Sequence, residues 1–217
     1  VVSGYLVGGK KYKLNDQNDI FLMKIDHAGN KLWEKSFGNE THTDILESLY
    51  SNDNNEYIIG SFQSTTGLPW DQWHDRIQII AVDSLGNEKW QWMSDPPFDE
   101  WSVEDRGCKG LHQGEKGNWI YTTVKGEHEV VGGFYNNTDT SPQFVVRDSN
   151  FNLITTRSYE EIDGPINDFI NLVSLSDGDW LALGVNLELG EHNYGLMNRI
   201  SNGEDGISML GDSLWAK

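Results

Sequence analysis

The sequence contains a single cysteine, Cys108, and only five prolines among 217 residues. One cysteine excludes an internal disulfide and a zinc cluster built from cysteines, so this thiol is expected to be buried and structural. No apolar run approaches the ~20 residues that a membrane-spanning helix needs, which argues against direct membrane insertion. A signal peptide is also missing, but the first residue is Val in a predicted strand, so we interpret the chain as a processed or partial product.

Basic residues are scarce as well: 16 Lys and Arg stand against 34 Asp and Glu, giving a formal net charge of −18. Such a chain repels phosphate backbones, which argues against a nucleic-acid partner, and it repels anionic lipid surfaces. The charge is explained by solubility, or by binding of a cation or cationic ligand. Aromatic residues reach 12% and there are 23 glycines, a mixture expected of many short strands joined by tight turns.

Two sequence elements recur along the chain. The first is an apolar run ending in Asp, with Gly three residues and Trp seven residues after the Asp, at 26–33 and 83–90. Weaker copies lie at 144–154, which has lost the Gly and the Trp, and at 194–204. The second is a short apolar run, in most copies ending in Gly, at 5–8, 57–60, 119–122 and 181–184. Two elements that each recur four times at similar spacings predict a repeat architecture.

Each repeat resolves into four short strands. In the second repeat they are predicted at 45–51, 57–63, 77–83 and 87–93, with tight hairpins at 52–55 and 84–86, because Asn, Asp and Gly tolerate positive φ. Four-stranded antiparallel units at this spacing, without helical periodicity between them, are typical of β-propeller blades. We therefore predict an all-β chain, one domain over 1–217, with about four blades at 1–37, 38–93, 94–158 and 159–217.

The Asp-x-x-Gly-x-x-x-Trp turn at 26–33 and 83–90 resembles the repeat of quinoprotein-like (PQQ-like) propellers and of related secreted bacterial repeat proteins. The resemblance implies that the Trp and Gly dock one blade onto the next, and that the protein is extracytoplasmic, secreted or at the cell surface. The resemblance does not imply a quinone cofactor, because the clustered cofactor ligands and the vicinal cysteines of those enzymes cannot be identified in this sequence. The first unit lacks its first strand, which favours an arc of a six- to eight-bladed ring; the alternative is a closed four-bladed ring.

Long connections are predicted on one face of these blades, at 10–19, 64–76, 94–107, 125–142 and 159–167. Binding residues concentrate on loops that a rigid scaffold displays, so this face is the functional candidate. Two of its loops, 64–76 and 94–107, combine Trp with charged side chains, a combination that suits stacking on sugars or binding of a cationic group. Alternatively, the Trp residues pack the loops onto the sheet and the acids are solvated. The candidate ligand-binding residues are Trp70, Asp71, Trp73, His74, Asp75, Asp99, Trp101, Glu104, Asp105 and Arg106.

We predict no catalytic and no metal-binding residue, because the chain has neither a nucleophile elbow nor the ordered spacing of a calcium loop. No cofactor is expected; calcium at the turns 53–55 and 177–179 is the alternative left open. The leading hypothesis is a non-catalytic binding or scaffold domain that engages a protein or a glycan, within a longer chain or larger assembly. The other hypothesis is a polysaccharide-active hydrolase or lyase that uses loop carboxylates. Asn39 and Asn136 are glycosylation sequons on the same face.

Overall fold

A computed structural model describes residues 4–13, 17–52, 54–65, 75–94, 102–114, 117–131, 134–158, 166–174, 180–186, 194–201 and 208–209. Every element in these residues is a β-strand, which confirms the all-β prediction. The strands form four antiparallel sheets in which neighbours along the chain pair with each other. In this part of the chain there is no helix long and apolar enough to cross a membrane.

The strands run in chain order across each sheet. Sheet 1 has three described strands, β1 (Gly4–Tyr12), β2 (Asn18–Asp26) and β3 (Lys31–Phe37). Sheet 2 has β4 (His42–Ser51), β5 (Tyr57–Thr65), β6 (Asp75–Val82) and β7 (Glu88–Met93). Sheet 3 has β8 (Ser102–Gln113), β9 (Trp119–Val131), β10 (Phe134–Arg147) and β11 (Leu153–Ser158). Sheet 4 has β12 (Ile166–Ser174), β13 (Trp180–Asn186), β14 (Tyr194–Ser201) and β15 (Ser208–Met209).

One type of hairpin turn recurs in three of the sheets. In the first copy the Asp26 N–H donates to the Asn30 carbonyl at 2.9 Å, and the Gly29 N–H donates to the Asp26 carbonyl at 3.0 Å. Gly29 has a φ of +86°. This is a type I turn completed by a residue of positive φ, a common three-residue hairpin connection. The same two backbone bonds close the turns at 52–56, 83–87, 114–118 and 148–152.

The turn at 148–152 keeps this conformation although its glycine has been replaced. Phe151 adopts a φ of 64° at the glycine position, and its ring stacks on Trp119 at a centroid distance of 5.2 Å. The constraint comes from Asp148, whose Oδ1 accepts the Asn152 N–H at 2.9 Å and whose Oδ2 accepts the Asn152 side-chain amide at 2.9 Å. The turn therefore keeps its Asp and the Asn four residues later without its glycine.

The same carboxylate–amide pairing closes the turns of Asp26 with Asn30 and of Asp83 with Asn87. The Asn30 side chain lowers the pKa of Asp26, and the Asn87 backbone N–H has the main share in lowering the pKa of Asp83. These acids contribute to the high negative charge, but their oxygens are used within the turns. They are structural.

The chain divides into two compact units, 1–100 and 101–217. In the first unit, sheets 1 and 2 pack against each other around a shared apolar core. The inner strands β5 and β6 are covered on both faces, since consecutive residues such as Ile58 and Ile59 are both buried. This explains their nearly continuous apolar sequence. The buried cluster shared by the two sheets consists of Ile20, Leu22, Ile59, Ile80 and Val82.

Trp33 attaches sheet 1 to a hairpin turn of sheet 2. Its Nε1–H donates to the Ser84 carbonyl at 3.0 Å. Its ring lies 3.0 Å from the point where a Cβ on Gly86 would stand. The ring also lies 6.3 Å from that of Tyr57, whose hydroxyl is 2.6 Å from the buried Lys24 Nζ. Gly86 therefore serves two needs, a φ of +79° and room for the Trp33 ring.

The second unit uses a different contact between its sheets. Gly110, at φ +58°, approaches β12 so closely that a Cβ would clash with the Leu172 backbone nitrogen. His112 Nε2 lies 2.8 Å from the Leu172 carbonyl, and burial lowers the pKa of this imidazole, which favours its neutral form. The core of this unit consists of Ile120, Phe144, Val146, Leu172, Trp180 and Ala182.

Several predicted loop boundaries are wrong. The predicted loop 94–107 overlaps β8, which begins at Ser102. The predicted loop 125–142 is a β-ribbon, because β9 and β10 stay paired as far as Val131 and Phe134. Asn136, expected on a loop, therefore lies in β10. Ladder bonds join backbone groups, so a ribbon continues through polar residues where the apolar pattern ends. The predicted loops 10–19 and 64–76 are likewise shortened by β1, β2, β5 and β6.

A matched pair of glycine substitutions tests the contact with Trp33. Gly29 and Gly86 occupy the same position of the same turn, but a Cβ on Gly29 would meet nothing within 4 Å. Gly29→Ala should cost about 1 kcal/mol in free energy of unfolding, for the positive φ alone. Gly86→Ala should cost roughly 1 kcal/mol more, because the Trp33 ring must shift. Urea unfolding of both variants measures the difference. Equal losses would show that Trp33 does not rest on Gly86.

Candidate functional site

The loop end of the first unit is the end opposite the hairpin turns of sheets 1 and 2. There β4 and β6 begin and β5 and β7 end, as the pairings His42↔Thr65 and Ser64↔Asp75 show. Ser94 follows β7 at this end, where its Oγ accepts the Ile77 N–H at 3.0 Å. The connections 66–74 and 95–101 therefore both leave sheet 2 from the loop end.

The residues predicted from sequence divide into three groups. Trp70, Asp71, Trp73 and His74, together with Asp99 and Trp101, lie outside the described residues. Asp75 is the first residue of β6, at the loop end of sheet 2. Glu104, Asp105 and Arg106 were expected in a loop, and that prediction is wrong: they lie in β8, where Arg106 pairs with Val124. The predicted role of the loop tryptophans in ligand binding stays a prediction.

The described part of the loop end contains a buried pair of carboxylates that the sequence analysis did not identify. Asp19, the second residue of β2, is 6% exposed, and Asp44, the third residue of β4, is 0% exposed. Both approach Gly38, which connects β3 with β4. A Cβ on Gly38 would clash with Asp19 Oδ1 and stand 2.8 Å from Asp44 Oδ2. The glycine therefore lets one carboxylate from each sheet reach the same point.

Each carboxylate has one strong partner. The Gln63 side-chain amide donates to Asp44 Oδ1 at 2.9 Å. The Lys13 ammonium nitrogen lies 2.6 Å from Asp19 Oδ1 and donates to the Asn39 carbonyl at 3.2 Å. The contact with Asp19 is an ion pair whose angles do not satisfy those of a hydrogen bond. The Lys13 ammonium thus pairs with Asp19 and with the Asn39 carbonyl.

Asp44 Oδ2 is buried without a hydrogen-bond partner. Burial is the largest effect on this carboxyl and raises its pKa, and the neighbouring Asp19 adds to the rise. The Gln63 amide, the Asn39 N–H and His42 act in the opposite direction. A buried carboxylate oxygen without a donor or cation is costly. Asp44 is therefore an acid that a proton, a metal ion or a ligand donor would stabilise.

The connection between β3 and β4 borders this pair. Asn39 Oδ1 accepts the Thr41 N–H at 2.9 Å and lies 2.8 Å from His42 Nδ1. The Thr41 hydroxyl lies 2.8 Å from the same imidazole nitrogen. The side chain of the predicted sequon Asn39 is thus engaged in a local network, which fixes the backbone that presents its carbonyl to Lys13.

A sequence signal for the pair existed. Each Asp stands directly before an apolar residue near the start of a strand, in Asn18-Asp-Ile20 and Thr43-Asp-Ile45. An acidic residue at the start of a buried strand indicates a position where a charged group is buried at an energetic cost. The sequence could not show that the two acids approach each other, because they belong to different sheets.

The pKa of Asp44 leads to a stability prediction for Asp44→Asn in metal-free buffer. Because folding raises this pKa, the ionised carboxylate opposes folding at pH values above the raised pKa, and the penalty vanishes below the ordinary pKa of Asp. The variant should therefore gain about 1–3 kcal/mol in free energy of unfolding at pH 7, the typical cost of an unsatisfied buried polar group. The gain should shrink toward zero as the pH falls through the raised pKa.

Denaturant unfolding of wild type and variant between pH 3 and 8 measures this difference. Glu88→Gln, which removes one exposed carboxylate from β7, is the control and should show no comparable change. A gain that does not depend on pH, or a loss at pH 7, would contradict the assignment of Asp44 as a strained acid.

Comparison with known proteins informs the fold alone. No protein-family model matches the sequence, and no curated protein matches it significantly. Among the solved structures that match is the GH32 β-fructofuranosidase BmSUC1 of Bombyx mori, with a TM-score of 0.51 and 13% sequence identity. The match covers 94% of this chain, which spans 47% of the length of that protein. That protein is a β-propeller, and the chain is similar to it in fold.

Proposed function

We propose that the four sheets are blades of a β-propeller and that the chain is a non-catalytic module that binds a glycan through its loop end. We further propose an extracytoplasmic location, as the PQQ-like resemblance implies. The propeller proposal is supported by the fold likeness over 94% of the chain. It is also supported by the seam between sheets 1 and 2, where Trp33 rests against the Gly86 turn.

The observation that carries the binding proposal is the contrast between the two ends of the sheets. At the turn end, the oxygens of Asp26, Asp83 and Asp148 accept hydrogen bonds within their own turns. At the loop end, Asp44 Oδ2 has no partner. The Trp-containing connections 66–74 and 95–101 leave sheet 2 from that same end. Asp44 itself is too deeply buried to meet a sugar, so the ligand contacts would come from the aromatic and polar side chains of these connections, which suit a hydroxyl-rich ligand.

Alanine substitutions of the loop tryptophans test this function. Trp70→Ala and Trp101→Ala should each weaken binding to an oligosaccharide that the wild type retains by about tenfold or more, since loss of ~1.4 kcal/mol of stacking corresponds to that factor. Tyr5→Ala is the matched control, because Tyr5 is 60% exposed but lies near the turn end of sheet 1. A glycan panel followed by calorimetry on the best ligand gives the affinities.

Three results would contradict the proposal. Binding that survives both Trp substitutions would place the site elsewhere. A melting temperature that drops in these variants without a change in affinity would identify the tryptophans as packing residues. Specific retention of a protein, with no glycan bound, would favour a protein-binding scaffold instead.

A second candidate is a glycoside hydrolase, which the fold likeness to a β-fructofuranosidase favours. Asp44 is too deeply buried to touch a sugar, so the acids would have to come from the loops, such as Asp71 and Asp99. Under this alternative, the wild type should release reducing sugar from a β-fructofuranoside, and Asp71→Asn or Asp99→Asn should abolish the release. No turnover by the wild type would reject it for this substrate class.

A further inference from the structure

Unsatisfied oxygens concentrate at the loop end of the first unit. Among the described residues, Asn18 Oδ1, Asp19 Oδ1, Thr43 Oγ1 and Asp44 Oδ2 are buried without a hydrogen-bond partner. They come from two dipeptides, one at the start of β2 and one at the start of β4. Of the two carboxylate oxygens among them, Asp19 Oδ1 has the Lys13 ammonium as an ion-pair partner, whereas Asp44 Oδ2 has no hydrogen-bond partner and, as a carboxylate oxygen, can only accept one.

The loop end beside Asp19 already attracts a positive charge. The Lys13 ammonium approaches Asp19 Oδ1 and the Asn39 carbonyl, 2.6 and 3.2 Å away. Lys13 reaches this position from the connection between β1 and β2, and its side chain is 30% exposed. With Lys13 in place, the pair of carboxylates still has an excess negative charge and Asp44 Oδ2 is still unpartnered.

Size limits what can supply the missing charge. Asp44 is 0% exposed, so a sugar ring or a peptide side chain cannot reach it without displacing protein. A single proton would satisfy Asp44 Oδ2 but would not link the Asp44 carboxylate to that of Asp19. A metal ion is small enough and contacts several oxygens at once.

The chemistry of the donors selects among metal ions. Carboxylate oxygens of Asp19 and Asp44 approach Gly38, and the Asn39 carbonyl oxygen shares the Lys13 ammonium with Asp19. Hard oxygen donors of this kind suit Ca²⁺, which accepts carboxylates, backbone carbonyls and water in flexible geometry. The described residues contain no group of three or more His, Cys, Asp or Glu side chains that could hold a metal, so part of the coordination would come from carbonyl oxygen and water.

We propose that Asp19, Asp44 and the Asn39 carbonyl form a calcium site at the seam between sheets 1 and 2, and that the Lys13 ammonium competes with the ion for this site. Gly38 is required because a side chain there would occupy the point where the two carboxylates meet. The inference does not depend on glycan binding. It assigns the ion a structural role, linking β2 to β4.

The test uses the full chain after treatment with a chelator. Ca²⁺ is titrated by calorimetry, and melting temperatures are measured with Ca²⁺ and, in parallel, with Mg²⁺. At a hundredfold excess of Ca²⁺ over its dissociation constant, the wild-type melting temperature should rise by on the order of 5 °C. Mg²⁺ should have a much smaller effect, because it requires a tighter octahedral shell.

Three variants locate the binding. Asp44→Asn should abolish the calcium-dependent rise. Lys13→Met should tighten Ca²⁺ binding by about tenfold, because the tethered competitor is removed. Glu88→Gln should leave binding unchanged, which controls for weak association of Ca²⁺ with a chain of net charge −18. If Asp44→Asn folds poorly, Asp19→Asn replaces it with the same expected loss.

Several outcomes would overturn the site. These are no calcium-dependent rise in the wild type, an equal rise in Asp44→Asn, an equal rise with Mg²⁺, or weaker binding in Lys13→Met. Stabilisation of the calcium-free wild type by mild acid to the extent expected from Ca²⁺, without calcium binding, would show that a proton fills the role instead.

Discussion

The hairpin turn that places its fourth residue at positive φ, and that begins with Asp or Asn in four of its five described copies, is the constraint on which sheets 1, 2 and 3 depend. A one-residue slip in a β-hairpin would turn every side chain to the opposite face. The two backbone bonds of each turn, reinforced in three copies by an Asp carboxylate and an Asn amide, prevent that slip. The register of β2 with β3, of β6 with β7 and of β10 with β11 is therefore set at one end of the sheet.

The same turn also provides the surface on which sheets meet in the first unit. Positive φ at Gly86 leaves a position without a side chain, and Trp33 rests on it while donating to the Ser84 carbonyl. A local requirement of the hairpin and a long-range requirement of packing are thus satisfied by one glycine. Where the turn has Phe151 instead, the side chain itself takes part in packing, against Trp119.

Much of this could be predicted from the sequence, because turns and strand patterns are local. The Asp, Gly and Trp positions of the two good copies predict the hairpins and mark Trp33 and Gly86 as repeat positions. The copy at 148–152 looked degenerate because the sequence analysis gave the glycine more weight than Asn152, whose amide holds the Asp148 carboxylate. Strand ends were predicted less well. The β9–β10 ribbon and the start of β8 continue through polar residues, and apolar periodicity cannot detect pairing that depends on backbone groups alone.

The candidate site lay beyond sequence reasoning for a different reason. The predicted site residues lie in loops in which Trp and acids are dense, whereas Asp19 and Asp44 stand singly, 25 residues apart, at the edges of predicted strands. Only the packing of sheet 1 on sheet 2 brings them together at Gly38.

The division between the two ends of the sheets has an energetic meaning. The free energy of unfolding of natural domains is only about 5–15 kcal/mol. A buried, unpartnered carboxylate oxygen such as that of Asp44 therefore removes a substantial share of this stability. An amide in its place would lower that cost without changing the shape of the side chain. The turn end shows that this chain satisfies exposed carboxylates fully where they serve only the fold. The binding that we propose at the opposite end would account for an unsatisfied acid there, beside a lysine that only partly neutralises the pair, since functional positions are where stability is given up.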